Sequence, residues 1–167
     1  MTTVIAFAPS PLTPFEFQAT MDGQVCTIRV PWNLFGQRWY INVSQLDGTL
    51  ILARALVGSP AAQELASLAW DDTRGLVTAT TVAPHGFVLG SAIDLVISGN
   101  TPIGFDGSFR CDVTGPSNFV YPLATDPGAQ TATTVGIADW RVDLVKGYFA
   151  ASSLVFRQDS QQFEIAP

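Results

Sequence analysis

The chain has 167 residues, 14 acidic and eight basic side chains, a formal charge of −6 and 47% apolar residues. That length suits one ordinary domain or two small ones and buries a core without disulfide or metal staples. The eight Lys and Arg are scattered singly, so no basic stripe favours direct nucleic-acid binding, and no apolar run approaches the ~18 residues of a membrane span.

Charged residues make up 13% of the chain, about half the roughly 25% usual for soluble domains, which suits a neutral surface or one covered by other subunits. MTTVIAFAPSPLTP lacks a positive leader and a long enough apolar run for a secretory signal, so the expectation is a protein made and kept in a cytoplasm. The NVS tripeptide at Asn42–Ser44 is then a coincidental glycosylation match. Cys26 and Cys111 sit among alternating apolar residues and read as small core residues.

In chain order, FEFQATM sets Phe15, Phe17 and Ala19 against Glu16, Gln18 and Thr20, the alternation of a half-buried strand. Asp22-Gly23 suits a two-residue hairpin, whose central positions both need positive φ. QVCTIRVPW returns with Cys26, Ile28 and Val30 inward, and RWYINVSQ pairs with TLILARAL around a second Asp-Gly turn, Asp47-Gly48. The first 57 residues thus predict an antiparallel meander of about four strands. A short helix is predicted over 60–69, with Ser59 as cap, Pro60 at the first position, and Leu65 and Leu68 at spacing three.

From Asp71 the composition shifts to Thr, Gly and Val. APHG, SGNTPIG, FDG, TGPSN and DPGAQ punctuate strands predicted at LVTATTV, AIDLVISG, SFRCDV and NFVYPL. The tight turns include Pro84-His85-Gly86 and Asp106-Gly107. At DWRVDLVKGYF the alternation seen in the N-terminal strands returns, with Trp140, Val142 and Leu144 set against Arg141 and Asp143, and SSLVFRQ and QQFEIAP close the chain as strands. The expected fold is all-β: a small antiparallel barrel or sandwich from 1–70 and 139–167, interrupted by a second small all-β domain at 71–138, as insertions at exposed loops allow.

Chemistry finds little to use. His85 is the chain's single histidine, turn-borne and without a nearby acidic orienter, and no serine lies in a nucleophile elbow. One His and two strand cysteines do not make a zinc set, WDDTRG lacks the ligand pattern of a calcium loop, and no Gly-rich run leads into a helix. Asp22, Asp47 and Asp106 precede Gly in turns, while Glu16, Asp94 and Asp143 alternate outward, leaving no evident carboxylate pair for hydrolysis. The expectation is no catalytic residue, no metal and no cofactor.

WNLFGQRWYI gathers Trp32, Phe35, Trp39 and Tyr40, either as core aromatics of a hairpin or as a platform for a sugar or protein partner. Trp39 and Tyr40 are adjacent and point to opposite faces. With Trp70 and Phe163 these four form the candidate interface.

The early Phe15 and Phe17, Asp22-Gly23, Trp32-Asn33, Trp39-Tyr40, Asp47-Gly48 and Phe163-Glu164, in this order, resemble the small baseplate plug proteins of contractile-tailed bacteriophages. The middle segment, with Pro84-His85-Gly86, Gly90–Gly99, Phe105-Asp106-Gly107, Phe109 and Asn118–Tyr121, is similar to a β-module of phage structural proteins. The resemblance implies a non-catalytic virion part, assembled in the host bacterial cytoplasm, where tail tube meets hub and spike. It implies those three as partners, no membrane, and a homo-oligomer, a trimer in preference to a hexamer. The reading set against it is a carbohydrate- or receptor-binding β-module of a phage tail, resting on the aromatic cluster.

Overall fold

The structure, a computed structural model, describes residues 2–166. Met1 and Pro167, included in the predicted first domain and closing strand, lie outside the described residues. The described residues form an all-β protein. In chain order its strands are β1 (Thr3–Ala6), β2 (Phe15–Met21), β3 (Gln24–Val30), β4 (Trp32–Asn33), β5 (Arg38–Gln45), β6 (Leu50–Ala55), β7 (Gln63–Asp71), β8 (Leu76–Thr81), β9 (Ala92–Ser98), β10 (Gly107–Val113), β11 (Asn118–Pro122), β12 (Ile137–Asp139), β13 (Ser153–Arg157) and β14 (Gln162–Ala166). A single 3-10 turn, Ile103–Phe105, precedes β10. No helix among the described residues is long and apolar enough to cross a membrane.

The chain divides into two compact units, Met1–Pro60 with Val142–Pro167, and Ala61–Arg141. In the first, β2, β3, β5 and β6 form the antiparallel meander that alternation predicts. Asp22 at φ 49° and Gly23 at φ 77° make the two-residue turn between β2 and β3, both in the left-handed region such a turn demands. The second hairpin closes over Leu46, Asp47 and Gly48: the Gln45 N–H donates to the Thr49 carbonyl at 2.8 Å, with Gly48 at φ 87°. Pro31 has no N–H to give a ladder and separates β3 from β4, yet both pair with β5, through Arg29 opposite Asn42 and Trp32 opposite Trp39. A three-stranded sheet, β1-β14-β13, shares the core. Cys26, Ile28, Val30, Ile41 and Val43 face it from the meander, Leu154, Phe163 and Ile165 from the smaller sheet.

The second unit is a closed six-stranded antiparallel barrel in the order β10-β11-β8-β7-β12-β9. Closure leaves no free edge, and the interior is filled by Leu65, Leu68, Val77, Leu95, Ile97, Phe105, Cys111, Phe119 and Tyr121. The Tyr121 hydroxyl, buried among these rings, is satisfied by donating to the Phe105 carbonyl at 3.1 Å.

Three expectations need correction. The helix over 60–69 does not form: Gln63–Asp71 is β7. Leu65 pairs with Thr81 while Ser67 pairs with Thr80, so Ala66 is the extra residue of a β-bulge. In a regular strand, residues three apart point to opposite faces. The bulge turns Leu65 and Leu68 to the same face, and both are buried in the barrel, which reproduces the spacing of a helix. Ser59 caps nothing. It is buried, its N–H donates to the Phe156 carbonyl at 2.7 Å, its carbonyl accepts from the Gln158 N–H at 3.1 Å, and its hydroxyl accepts from the Val142 N–H at 2.8 Å.

The boundary accordingly falls at Pro60/Ala61 rather than near Asp71, because β7 closes the barrel between β8 and β12. Finally, 140–146 is not an alternating strand. Leu144 and Val145 are consecutive and both buried, and Asp143, expected to face outward, turns in so that one carboxylate oxygen accepts the N–H groups of Val145 (3.1 Å) and Leu154 (3.0 Å).

The bulge makes a test that separates strand from helix. Deleting Ala66 straightens β7 and keeps both leucines inward, so it costs less than Leu68→Ala, expected at about 2–5 kcal/mol from the cavity it leaves. Urea denaturation of the two variants checks the order.

Candidate functional site

The six candidate interface aromatics separate by burial. Phe163 is fully buried, with its ring 5.6 Å from Phe7, 5.2 Å from Phe17 and 4.9 Å from Phe156, so the structure places this candidate in the middle of a core cluster. Trp70 packs on the barrel core and its indole N–H donates to the Leu123 carbonyl at 3.0 Å. Trp39 packs inward on Phe7 at 5.5 Å and is covered across the ladder by Trp32 at 5.0 Å. Its neighbour Tyr40 points to the opposite face, as strand geometry requires.

Phe35 remains, fully exposed beside Leu34, itself 74% exposed. Both ride the turn between β4 and β5, which the Asn33 carboxamide fixes by accepting the Gly36 N–H at 2.8 Å, with Gln37 at φ 46°. Pro31, Trp32, Asn33, Leu34, Phe35, Tyr40 and Asn42 line an open cleft of about 420 Å³ with no charged side chain in its wall. Such a surface suits a neutral, largely apolar contact better than a charged one. The cluster of Trp and Tyr in the sequence points to this hairpin, but Leu34, its other exposed apolar residue, carries no signal beyond its place beside Phe35.

The turn residues do more than turn. The Asp22 carboxylate accepts the backbone N–H groups of Ala150 (2.6 Å), Ala151 (3.2 Å) and Ser152 (2.7 Å), and Ser152 Oγ in return accepts the Asp22 N–H at 2.6 Å. The N–H of Ala150 foremost, then those at Ser152, hold the Asp22 carboxyl below the ordinary carboxylate range. Asp47 is likewise lowered, by the Thr49 N–H. Asp106 accepts the N–H groups of Gly99 (3.0 Å) and Asn100 (3.1 Å) and the Asn100 side chain, whose oxygen accepts the Gly136 N–H at 3.0 Å. Gly107 leaves room for the Phe109 ring, which a Cβ there would meet at 2.7 Å. Asp47 acts within its own turn, Asp106 holds the loop after β9, and Asp22 clamps a segment some 130 residues along the chain, a role a single sequence does not reveal because the donors are backbone.

Pro84-His85-Gly86 sits between β8 and β9, with Gly86 at φ 74°. His85 is more than nine-tenths buried, and its Nδ1 accepts the Phe87 N–H at 3.1 Å. Both cysteines are buried and free, and burial pushes the Cys111 thiol up to about 12, far from a reactive thiolate. Among the described residues, no group of three or more His, Cys, Asp or Glu is placed to hold a metal ion.

Residues 3–81, just under half of the chain, match the family model described as Cyanophage baseplate Pam3 plug gp18. Over this segment the chain is similar to a phage baseplate plug protein. The match covers β1 to β8, and so takes in the first hairpin of the barrel as well as the meander. The rest of the barrel and the closing strands β13 and β14 lie outside it. No curated protein and no solved structure matches the chain.

The split between core and tip is open to measurement: Phe163→Ala is expected to cost about 3–5 kcal/mol and Phe35→Ala within about 0.5 kcal/mol, by chemical denaturation. For Asp22, a carboxyl lowered in the folded state stabilises above its unfolded pKa and loses that contribution as pH falls through the folded one. Asp22→Ala is therefore less stable than the native chain at neutral pH, and the gap narrows as pH falls below about 4, in thermal melts across that range.

Proposed function

We propose that the chain is a structural plug of a phage tail baseplate, seated where the tail tube meets hub and spike, and that it works by docking, without catalysis. The match of residues 3–81 to a baseplate plug family carries the reading. Low charge and the exposed Leu34–Phe35 tip support it, since a neutral apolar projection carries a hydration cost that a covering neighbour removes. On this reading the partners are hub, spike and tube proteins and further copies of the chain, three in preference to six, in closed symmetry. The chain is assembled in the host cytoplasm and carried in the virion, and the barrel unit is an added module on the plug scaffold.

Mass spectrometry of purified particles should find the chain in fixed low copy beside hub proteins, and its absence from particles would end the proposal. Leu34→Asp with Phe35→Asp should leave the isolated chain folded and remove it from particles. The Tyr40 ring and the Asn33 and Asn42 amides, in a cleft without charge, are what a sugar-binding module would use. Neutral oligosaccharide binding abolished by Tyr40→Ala, with the Leu34→Asp, Phe35→Asp variant still retained in particles, would establish that reading instead.

A further inference from the structure

His85 is tied at both its backbone and its ring. Its N–H donates to the Pro116 carbonyl at 3.0 Å, and its imidazole stacks on Phe87 at 4.7 Å with Phe119 at 6.3 Å. The Phe87 N–H bond to Nδ1 requires a ring that carries its single proton on Nε2. Nε2 is buried and has no hydrogen-bond partner. A second proton could enter only at Nδ1, where it would face the Phe87 N–H donor to donor. Proton and hydrogen bond exclude each other at that atom.

We propose that His85 is an acid-released latch on the loop between β8 and β9. With the ring neutral, the Phe87 bond holds the loop, and Phe87 in turn packs edge-on against Trp140 at 5.6 Å. Protonation removes the bond and places a charge between phenyl rings, so the loop is held at higher pH and released as pH falls. The loop carries Val82, Val88 and Leu89, all well exposed, so release would rearrange an apolar surface at this end of β8 and β9.

Few other titratable groups face this ring. The loop itself, β8, β11 and the turn at 114–117 bring only Tyr121 besides His85, and the Tyr121 hydroxyl is buried and bonded to the Phe105 carbonyl. On the remaining neighbours the groups are Glu64 and, at its far end, Asp71 of β7, Asp94 of β9, Arg110, Cys111 and Asp112 of β10, and Asp139 and Arg141 flanking Trp140. Glu64 and Asp112 are exposed, Cys111 is a buried thiol, Asp94 and Arg110 pair at 3.3 Å, and Asp139 lies 3.9 Å from Arg141. Neither imidazole nitrogen is bonded to a carboxylate.

His85 is the chain's one imidazole, so its titration is read without overlap. In the full chain, ¹⁵N spectra recorded from about pH 8 down to about pH 5 should show the proton on Nε2 wherever the ring is neutral, and the exchange protection of the Phe87 amide should fall on the order of tenfold where the spectra show the ring protonated, while barrel-core amides such as Leu95 keep theirs. His85→Asn keeps an acceptor for the N–H two residues on, as in an Asx turn, but does not titrate. It should hold Phe87 protection level across that range. A ring proton on Nδ1 at pH 8, unchanged Phe87 protection on protonation, or the same loss in His85→Asn would overturn the latch. The spectra of the native chain decide the first two whether or not the variant folds.

Discussion

The packing of Phe163 among Phe7, Phe15, Phe17 and Phe156 is the contact on which the first unit rests. These rings come from β14, from the segment after β1, from β2 and from β13, so one cluster binds the two ends of the chain to the hairpin that starts the meander. Each ring removes a large apolar area from water, and edge-on and tilted geometries add a smaller electrostatic preference. Neither sheet would be covered without the other: a three-stranded sheet and a meander are each apolar on one face, and here those faces form a single core.

Once that core is set, the polar turn residues act on what surrounds it. Asp22 reaches a strap of backbone at 150–152, far along the chain, and Asp143 ties the start of that connection to β13. In the barrel Asp106 holds the loop after β9 in the same way. Long connections without regular structure carry backbone groups that need partners, and these carboxylates supply them. The acidic balance of the chain thus serves in part as internal capping, while the cleft at the β4–β5 tip has no charged side chain in its wall.

That division of labour bears on function. Several side chains of the kind chemistry uses serve the fold here: both cysteines are buried, Asp22 is engaged by backbone donors, and the histidine is bonded within its own loop. The exposed apolar side chains include Leu34 and Phe35 at the β4–β5 tip and Val82, Val88 and Leu89 on the loop between β8 and β9. The β4–β5 tip lies within residues 3–81, the segment similar to the baseplate plug family.

Alternation and turn chemistry are local, each residue obeying its own neighbours, and they suffice for the all-β class, the meander, the two Asp-Gly turns, the inward residues of β2 and β3, and the existence of β8 to β11. Long-range pairing settles what local pattern leaves open. β7 reads as a helix because a bulge gives two leucines helical spacing, and a bulge exists only relative to the partner strand β8. β1 is illegible on its own because four residues carry too little pattern until β14 pairs with them. Phe163 reads as a candidate interface residue because nothing local distinguishes an outward ring from one that meets Phe7 across the core. Trp39 and Tyr40 must diverge on any strand, but which of them faces inward depends on where the second sheet lies, and that is a property of the whole chain.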